Sequence, residues 1–141
     1  QDLVEEVVEG DYNIFSAYSL HADVNRPNGE LFDKWATRAQ QSDLWWNCTP
    51  IERLPAVVDV YSTFNGLAAF DAKGFIDGAR FEPISQSAQI NGLDVDVEWV
   101  SICEQFRSMG LDKIALSTNS KVYHFLKAEN IVTADLSLLK N

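Results

Sequence analysis

Two parts of the chain combine the pattern of an amphipathic helix with the pattern of a strand that follows it. Residues 2–9 carry apolar side chains on one helical face and acidic side chains on the other, and the aromatic and apolar run of residues 12–20 is typical of a buried strand. Residues 97–109 repeat the helical spacing over a longer stretch, and residues 113–117 and 122–125 each favour a strand. Because a helix that leads into a strand is the common unit of an α/β sheet, the sequence predicts an α/β fold with a mixed sheet and flanking helices.

Shorter patterns fill the region between these two parts. Helix-forming residues with apolar positions on one face predict a helix over residues 31–40, and the alternation of residues 57–63 predicts a strand. Residues 64–66 are typical of a turn, and residues 67–70 predict a second short strand. Residues 71–78 fit one helical turn that is closed by glycine.

The length and the charge of the chain limit what it can be. A chain of 141 residues with 46% hydrophobic residues can build one core, so we expect a single domain or part of one over residues 1–141. The formal charge of -10 would repel phosphodiester backbones and anionic headgroups, which argues against nucleic acid as a partner. An anionic nucleotide ligand would need a divalent cation to supply positive charge.

The cysteines and the N-terminus give no sign of a secreted or membrane protein. Cys48 and Cys103 match neither a zinc spacing nor a Cys-x-x-Cys motif, and we interpret both as free thiols. No run approaches the roughly 18 apolar residues needed to cross a bilayer, and the N-terminus lacks the basic start of a signal peptide. A soluble, cytoplasmic protein is therefore the default expectation. Because a helical pattern starts directly after Gln1, we expect the chain to begin inside a domain.

Five motifs occur in an order that is found in one group of sugar transferases. They are Phe32–Arg38 (FDKWATR), Trp45-Trp46, Tyr61–Phe70 (YSTFNGLAAF), Val97–Val100 (VEWV) and Lys113–Leu116 (KIAL). In this order the chain resembles the GT-A glycosyltransferases related to fungal capsular mannosyltransferases and chlorovirus sugar transferases, over residues 12–125. The resemblance implies the C-terminal part of a GT-A fold, which is the acceptor-side half of a nucleotide-diphospho-sugar transferase.

The chain also departs from that group. The group usually has Gly-Gly where this chain has Asn65-Gly66, and Glu-His where this chain has Glu98-Trp99. The nucleotide-binding βαβ half and the Asp-x-Asp metal motif of GT-A enzymes would lie upstream of Leu3. The resemblance then implies that a divalent cation, Mn or Mg, and the donor nucleotide are held mainly by residues outside this chain. We expect the chain by itself to be inactive.

Glu98 is the candidate catalytic residue. The resemblance implies that an acidic residue at the head of a helix takes the proton from the acceptor hydroxyl as the glycosidic bond forms, which is the task of a general base in an inverting transferase. The residue pattern alone leaves another interpretation open, in which Glu98 is a first-turn glutamate that the helix dipole favours.

Four side chains are candidates for binding sugar or phosphate. Under the functional interpretation Asp33 would hydrogen-bond sugar hydroxyls, and Arg38, five positions later on the predicted helix, would fix the loop or face the diphosphate. The alternative for these two is a solvated or structural pair. Because adjacent tryptophans cannot both face the core from one strand, one of Trp45 and Trp46 is expected to be exposed, where it could stack on a pyranose ring.

Three more residues could lie beside a ligand. Asn65 and Gly66 predict a turn that presents backbone N–H groups to a ligand, and the alternative is simply a tight turn. A lone histidine on a strand, such as His124, is more often packed or exposed than ligating. The resemblance to GT-A folds, in which a late histidine can coordinate the donor metal, makes His124 a weak metal candidate.

The favoured hypothesis is the transfer of a sugar from a nucleotide-sugar donor to a carbohydrate or glycoprotein acceptor. The alternative is a non-catalytic carbohydrate-binding or assembly module, in which an aromatic cleft persists without the chemistry. A truncated sheet would also expose a strand edge, which favours self-association.

Overall fold

A computed structural model describes residues 2–21, 31, 36–40, 51–82 and 98–124 of the chain. The helices and strands within these ranges confirm the predicted α/β class. In chain order they are α1 (Leu3–Val8), β1 (Ile14–His21), a 3-10 turn (Ile51–Arg53), β2 (Val57–Asp59), β3 (Ala68–Phe70), α2 (Ala72–Ile76), α3 (Glu98–Ser108) and β4 (Ile114–His124). Within the described ranges, no helix is long and apolar enough to cross a membrane.

The four strands form one mixed sheet in the order β2-β4-β1-β3. β1 and β4 are parallel neighbours at its centre, with Ile14 opposite Ile114 at one end and His21 opposite His124 at the other. β3 pairs with β1, and β2 pairs with β4, in antiparallel orientation. The carboxyl ends of the two central strands therefore lie at the same edge of the sheet, where open α/β sheets commonly bind ligands.

The alternation of side chains along β1 divides the core into two layers. Ile14 and Tyr18 are fully buried in a cluster that includes Phe106 of α3. Phe15 faces the other way and is buried in a second cluster with Leu3 of α1. Because successive side chains of a strand point to opposite faces, this two-residue period places helices on both sides of the sheet.

Helix α1 begins and ends where the sequence predicts. The Asp2 carboxylate accepts hydrogen bonds from the Val4 N–H at 2.9 Å and the Glu5 N–H at 3.4 Å, which satisfies two of the free donors of the first turn. Gly10 follows the helix with a φ of 81°, a left-handed conformation that glycine adopts without a steric penalty.

Cys103 of α3 is a free thiol in the core, as predicted. Burial raises the pKa of this thiol to about 12, so it stays protonated and unreactive at neutral pH. The second cysteine, Cys48, lies outside the described residues.

The helix predicted over residues 31–40 is wrong for its described part. Leu31 forms an isolated antiparallel bridge with Leu20, and residues 36–40 form a turn, a bridge and a bend. The Arg38 N–H donates to the Ser62 carbonyl at 3.0 Å, so this donor pairs across 24 positions of the chain instead of within a helical turn. Pairing with the segment before β3 therefore overrides the local helical pattern.

The two strands predicted near residues 113–117 and 122–125 are one strand, β4. Its pairing with β1 shifts after Ala17 and Ser117, since Tyr18 lies opposite Lys121. Residues 118–120 of β4 therefore have no opposite residue on β1. The N–H of Thr118, one of these residues, donates to the Ala56 carbonyl at 2.9 Å. A bulge of this kind lets a strand continue past a local irregularity, which sequence spacing does not reveal.

Helix α2 packs on α3 through a glycine. A Cβ atom at Gly74 would lie 2.6 Å from Cε1 of Phe106 and closer still to two other carbons of that ring. The Phe106 side chain is fully buried and contacts the rings of Phe70 and Phe75 edge-on, so it has little room to move. The absence of a side chain at Gly74 is therefore what allows the two helices to approach.

We expect Gly74→Ala to lower the free energy of unfolding by about 1–3 kcal/mol, the usual cost of overpacking a core. This loss should appear even though alanine is the better helix former by about 1 kcal/mol. Urea denaturation measures it. Combining Gly74→Ala with Phe106→Leu should make the alanine less costly by about 1 kcal/mol than it is in the unmodified protein. Equal costs in both backgrounds would show that the ring does not limit this site.

Candidate functional site

A tight turn at Asn65-Gly66, between Ser62 and the start of β3, forms the centre of the candidate site. Asn65 has a φ of 53° and Gly66 a φ of 76°, so both adopt the left-handed conformation. Asparagine and glycine are the residues that tolerate this conformation best, which explains why Asn-Gly forms the turn. The predicted turn at residues 64–66 is confirmed.

The side chain of Asn65 is the centre of a buried polar network. Its Oδ1 accepts hydrogen bonds from the Thr37 hydroxyl at 2.9 Å and the Ser19 hydroxyl at 3.4 Å. Its Nδ2 donates to Thr63 Oγ1 at 2.8 Å, and that oxygen lies 2.6 Å from the Ser16 hydroxyl oxygen. All five residues are fully buried. The Asn65 network, consisting of these five residues, fixes the turn from inside, and of the two turn residues only Gly66 is exposed.

Gly66 lies directly against the last residue of β4. A Cβ atom at Gly66 would be 3.0 Å from Nε2 of His124 and 3.7 Å from Cγ1 of Val122. Any larger residue at this position would push on the imidazole. The turn and the carboxyl ends of the parallel strands therefore meet, and His124 lies between them.

The start of α3 contacts the same turn. Trp99, the second residue of α3, stacks on Phe64 with ring centroids 3.7 Å apart and planes inclined by 2°. Glu98 precedes it as the first residue of the helix and is exposed to solvent. A carboxylate at this position is accessible to an incoming hydroxyl group.

Arg38 holds the chain that leads into the turn. Its backbone N–H donates to the Ser62 carbonyl, and its carbonyl accepts from the Tyr61 N–H at 2.8 Å. The residue is only 3% exposed, so a freely solvated pair does not describe it. These contacts are made by the backbone, so both roles predicted for the Arg38 side chain, fixing the loop and facing the diphosphate, stay predictions.

Five of the eight predicted site residues lie in the described ranges, and Arg38 is one of them. Asn65, Gly66 and His124 are brought together at the carboxyl edge of the sheet, and Glu98 begins the helix that packs on this turn through Trp99 and Phe64. Asp33, Trp45 and Trp46 lie outside the described residues. Among the described residues, no group of three or more His, Cys, Asp or Glu side chains is placed to hold a metal ion.

Arg107 of α3, which the sequence does not single out as a functional residue, supports the segment before the turn. Its guanidinium donates to the Val60 carbonyl at 2.8 Å and to the Tyr61 carbonyl at 3.1 Å, and it lies 4.8 Å from the centre of the Tyr61 ring. The Tyr61 hydroxyl donates to Glu104 at 3.1 Å. Burial, followed by the nearby Glu104 charge, raises the pKa of Tyr61 to about 12. No local spacing could reveal contacts between residues so far apart in the chain.

A comparison of the chain with protein-family models, with curated proteins and with solved structures found no match.

Proposed function

We propose that this chain is the acceptor-side part of a glycosyltransferase that moves a sugar from a nucleotide-sugar to a carbohydrate or glycoprotein acceptor. One observation carries the proposal. The Asn65-Gly66 turn and His124, which are far apart in the sequence, meet at the carboxyl edge of the parallel strand pair, and the helix that starts with Glu98 packs on the same turn. Ligand sites of open α/β sheets commonly lie at this edge.

Glu98 supplies the chemistry in this proposal. The acceptor hydroxyl oxygen attacks the anomeric carbon of the donor sugar, and the bond from that carbon to the diphosphate oxygen breaks. The nucleoside diphosphate leaves with the electron pair of this bond. The proton of the acceptor hydroxyl passes to the Glu98 carboxylate, which acts as general base in an inverting transfer. Its exposure at the start of α3 supports this role, because a base must reach the substrate.

The charge of the chain supports the proposal that it binds the acceptor and that the donor is held mainly by other residues. The chain carries a formal charge of -10, which suits a neutral acceptor better than an anionic donor. A divalent cation, held mainly by residues outside this chain, would neutralise the diphosphate when the donor binds. His124 is a candidate to contribute one ligand to that ion.

The first experiment is to sequence the encoding DNA upstream of the Gln1 codon. The proposal expects about a hundred further residues there, with a βαβ unit and an Asp-x-Asp motif at a strand end. The full gene product should then transfer sugar from a nucleotide-sugar in the presence of manganese. A start codon directly before Gln1 would leave the protein without a donor site, and the non-catalytic carbohydrate-binding module would be the better explanation.

A further inference from the structure

Three aromatic rings form a partly exposed surface beside Glu98. Trp99 stacks on Phe64, and Phe81 meets Trp99 edge-on, with ring centroids 5.2 Å apart and planes inclined by 77°. Phe81 is 48% exposed, while the other two rings are partly buried. We call Phe64, Phe81 and Trp99 the aromatic platform.

The backbone next to Phe81 is held firmly on α3. The Arg80 N–H donates to Gln105 Oε1 at 2.8 Å, and Gln105 Nε2 donates to the Arg80 carbonyl at 2.7 Å. This pair of bonds resembles one rung of a β-sheet, formed here by a side chain. The Arg80 guanidinium also donates to the Phe75 carbonyl at 2.9 Å. The ring of Phe81 is thereby positioned before any ligand arrives, which lowers the entropic cost of binding.

Phe81 is exposed although apolar side chains lie next to it. Its ring contacts Phe70 and Phe75, which pack against the core, yet about half of Phe81 stays in contact with solvent. Phe81 meets Trp99, and the chain neighbour of Trp99, Glu98, is exposed as well. An exposed ring in a fixed position together with an exposed carboxylate is a combination that can recognise a pyranose. The C–H face of the sugar packs on the ring, and the carboxylate accepts hydrogen bonds from its hydroxyl groups.

We propose that the aromatic platform binds a neutral pyranose ring of the acceptor, with the sugar C–H face on the exposed ring of Phe81 and a hydroxyl group directed to Glu98. The assignment of this ring to the acceptor rests on the proposed function, but the binding itself does not. Charge selects the ligand class, because Glu98 and the overall charge of -10 both disfavour an anionic sugar.

The test measures binding by the full gene product without donor, using saturation-transfer NMR. The probes are the methyl glycosides of β-glucose, β-galactose and α-mannose, and methyl β-glucuronide is the anionic match of the glucoside. At least one neutral glycoside should bind, and the glucuronide should bind more weakly than the glucoside at low salt. Phe81→Ala should weaken neutral binding about tenfold, in line with the worth of one aromatic contact. Phe81→Tyr should restore it.

Ile76→Ala is the matched control. Ile76 is 81% exposed on α2, close in sequence to Phe81, and lies outside the platform, so its loss should leave binding unchanged. The inference is overturned if no neutral glycoside binds at tens of millimolar, if the glucuronide binds as well as the glucoside, or if Phe81→Ala binds normally. It is also overturned if Phe81→Ala only dissociates an oligomer in light scattering, because a second copy would then cover the platform.

The two proposals fail separately. If sugar transfer occurs but Phe81→Ala changes neither binding nor the KM for the acceptor, the platform assignment is wrong and the transferase proposal stands. If neutral glycosides bind through Phe81 but the full gene product transfers no sugar, the platform stands and the transferase proposal is wrong.

Discussion

Glu98→Gln is expected to lower sugar transfer by the full gene product about 10²–10⁴-fold, the usual contribution of a general base. Glutamine has nearly the same size and keeps an oxygen that accepts hydrogen bonds, but its amide cannot take up the proton of the acceptor hydroxyl. Glycan binding should therefore change little, so that the loss appears in kcat and not in KM. Initial rates with a nucleotide-sugar donor, at varied acceptor concentration, measure both parameters.

Glu5→Gln provides the control that separates the two interpretations of Glu98. Both residues are exposed glutamates in the first turn of a helix. If Glu98 acts only on the helix dipole, both substitutions should reduce stability by about 0.3–1 kcal/mol and leave the rate unchanged. A Glu98→Gln enzyme with normal kcat would show that the base lies elsewhere.

The parts of the fold that sequence analysis predicted correctly have their information in local spacing. The apolar period of residues 97–109 indicates α3, because burial of one helical face imposes that period, and the aromatic and apolar composition of residues 12–20 indicates a buried strand, β1. Residues 36–40 were predicted as helix, since their composition is suitable. Arg38 instead pairs with Ser62, and a partner at that distance leaves no trace in the local pattern.

In the candidate site, too, the sequence predicts the local conformation but not the contacts between distant segments. The Asn65-Gly66 pair predicts a turn, because few other residues tolerate a positive φ at two consecutive positions. The burial of the Asn65 amide could not be predicted, because it depends on Thr37 and Ser19 from other segments. The aromatic platform is of the same kind, since Phe81 and Trp99 come together only through the packing of the chain on α3.

Asn65→Ala is expected to lower the free energy of unfolding by about 2–5 kcal/mol. Removal of the Asn65 amide leaves the hydroxyl groups of Thr37 and Thr63 without this partner in a fully buried position, at a cost of about 1–3 kcal/mol. Alanine must also adopt the left-handed φ of 53°, which costs about 1–2 kcal/mol. Urea denaturation, with the slope of the transition checked for constancy, measures the sum.

Asn65→Gly separates these two contributions, because glycine lacks the amide but adopts the left-handed conformation freely. It should be more stable than Asn65→Ala by about 1 kcal/mol. If the two variants are equally stable, backbone conformation does not contribute and the network carries the whole effect. If Asn65→Gly is as stable as the unmodified protein, the buried hydroxyl groups find other partners and the network is not what holds the turn. Gly66 lies against His124, so a turn released in this way would no longer fix the spacing between these two residues at the carboxyl edge of the sheet.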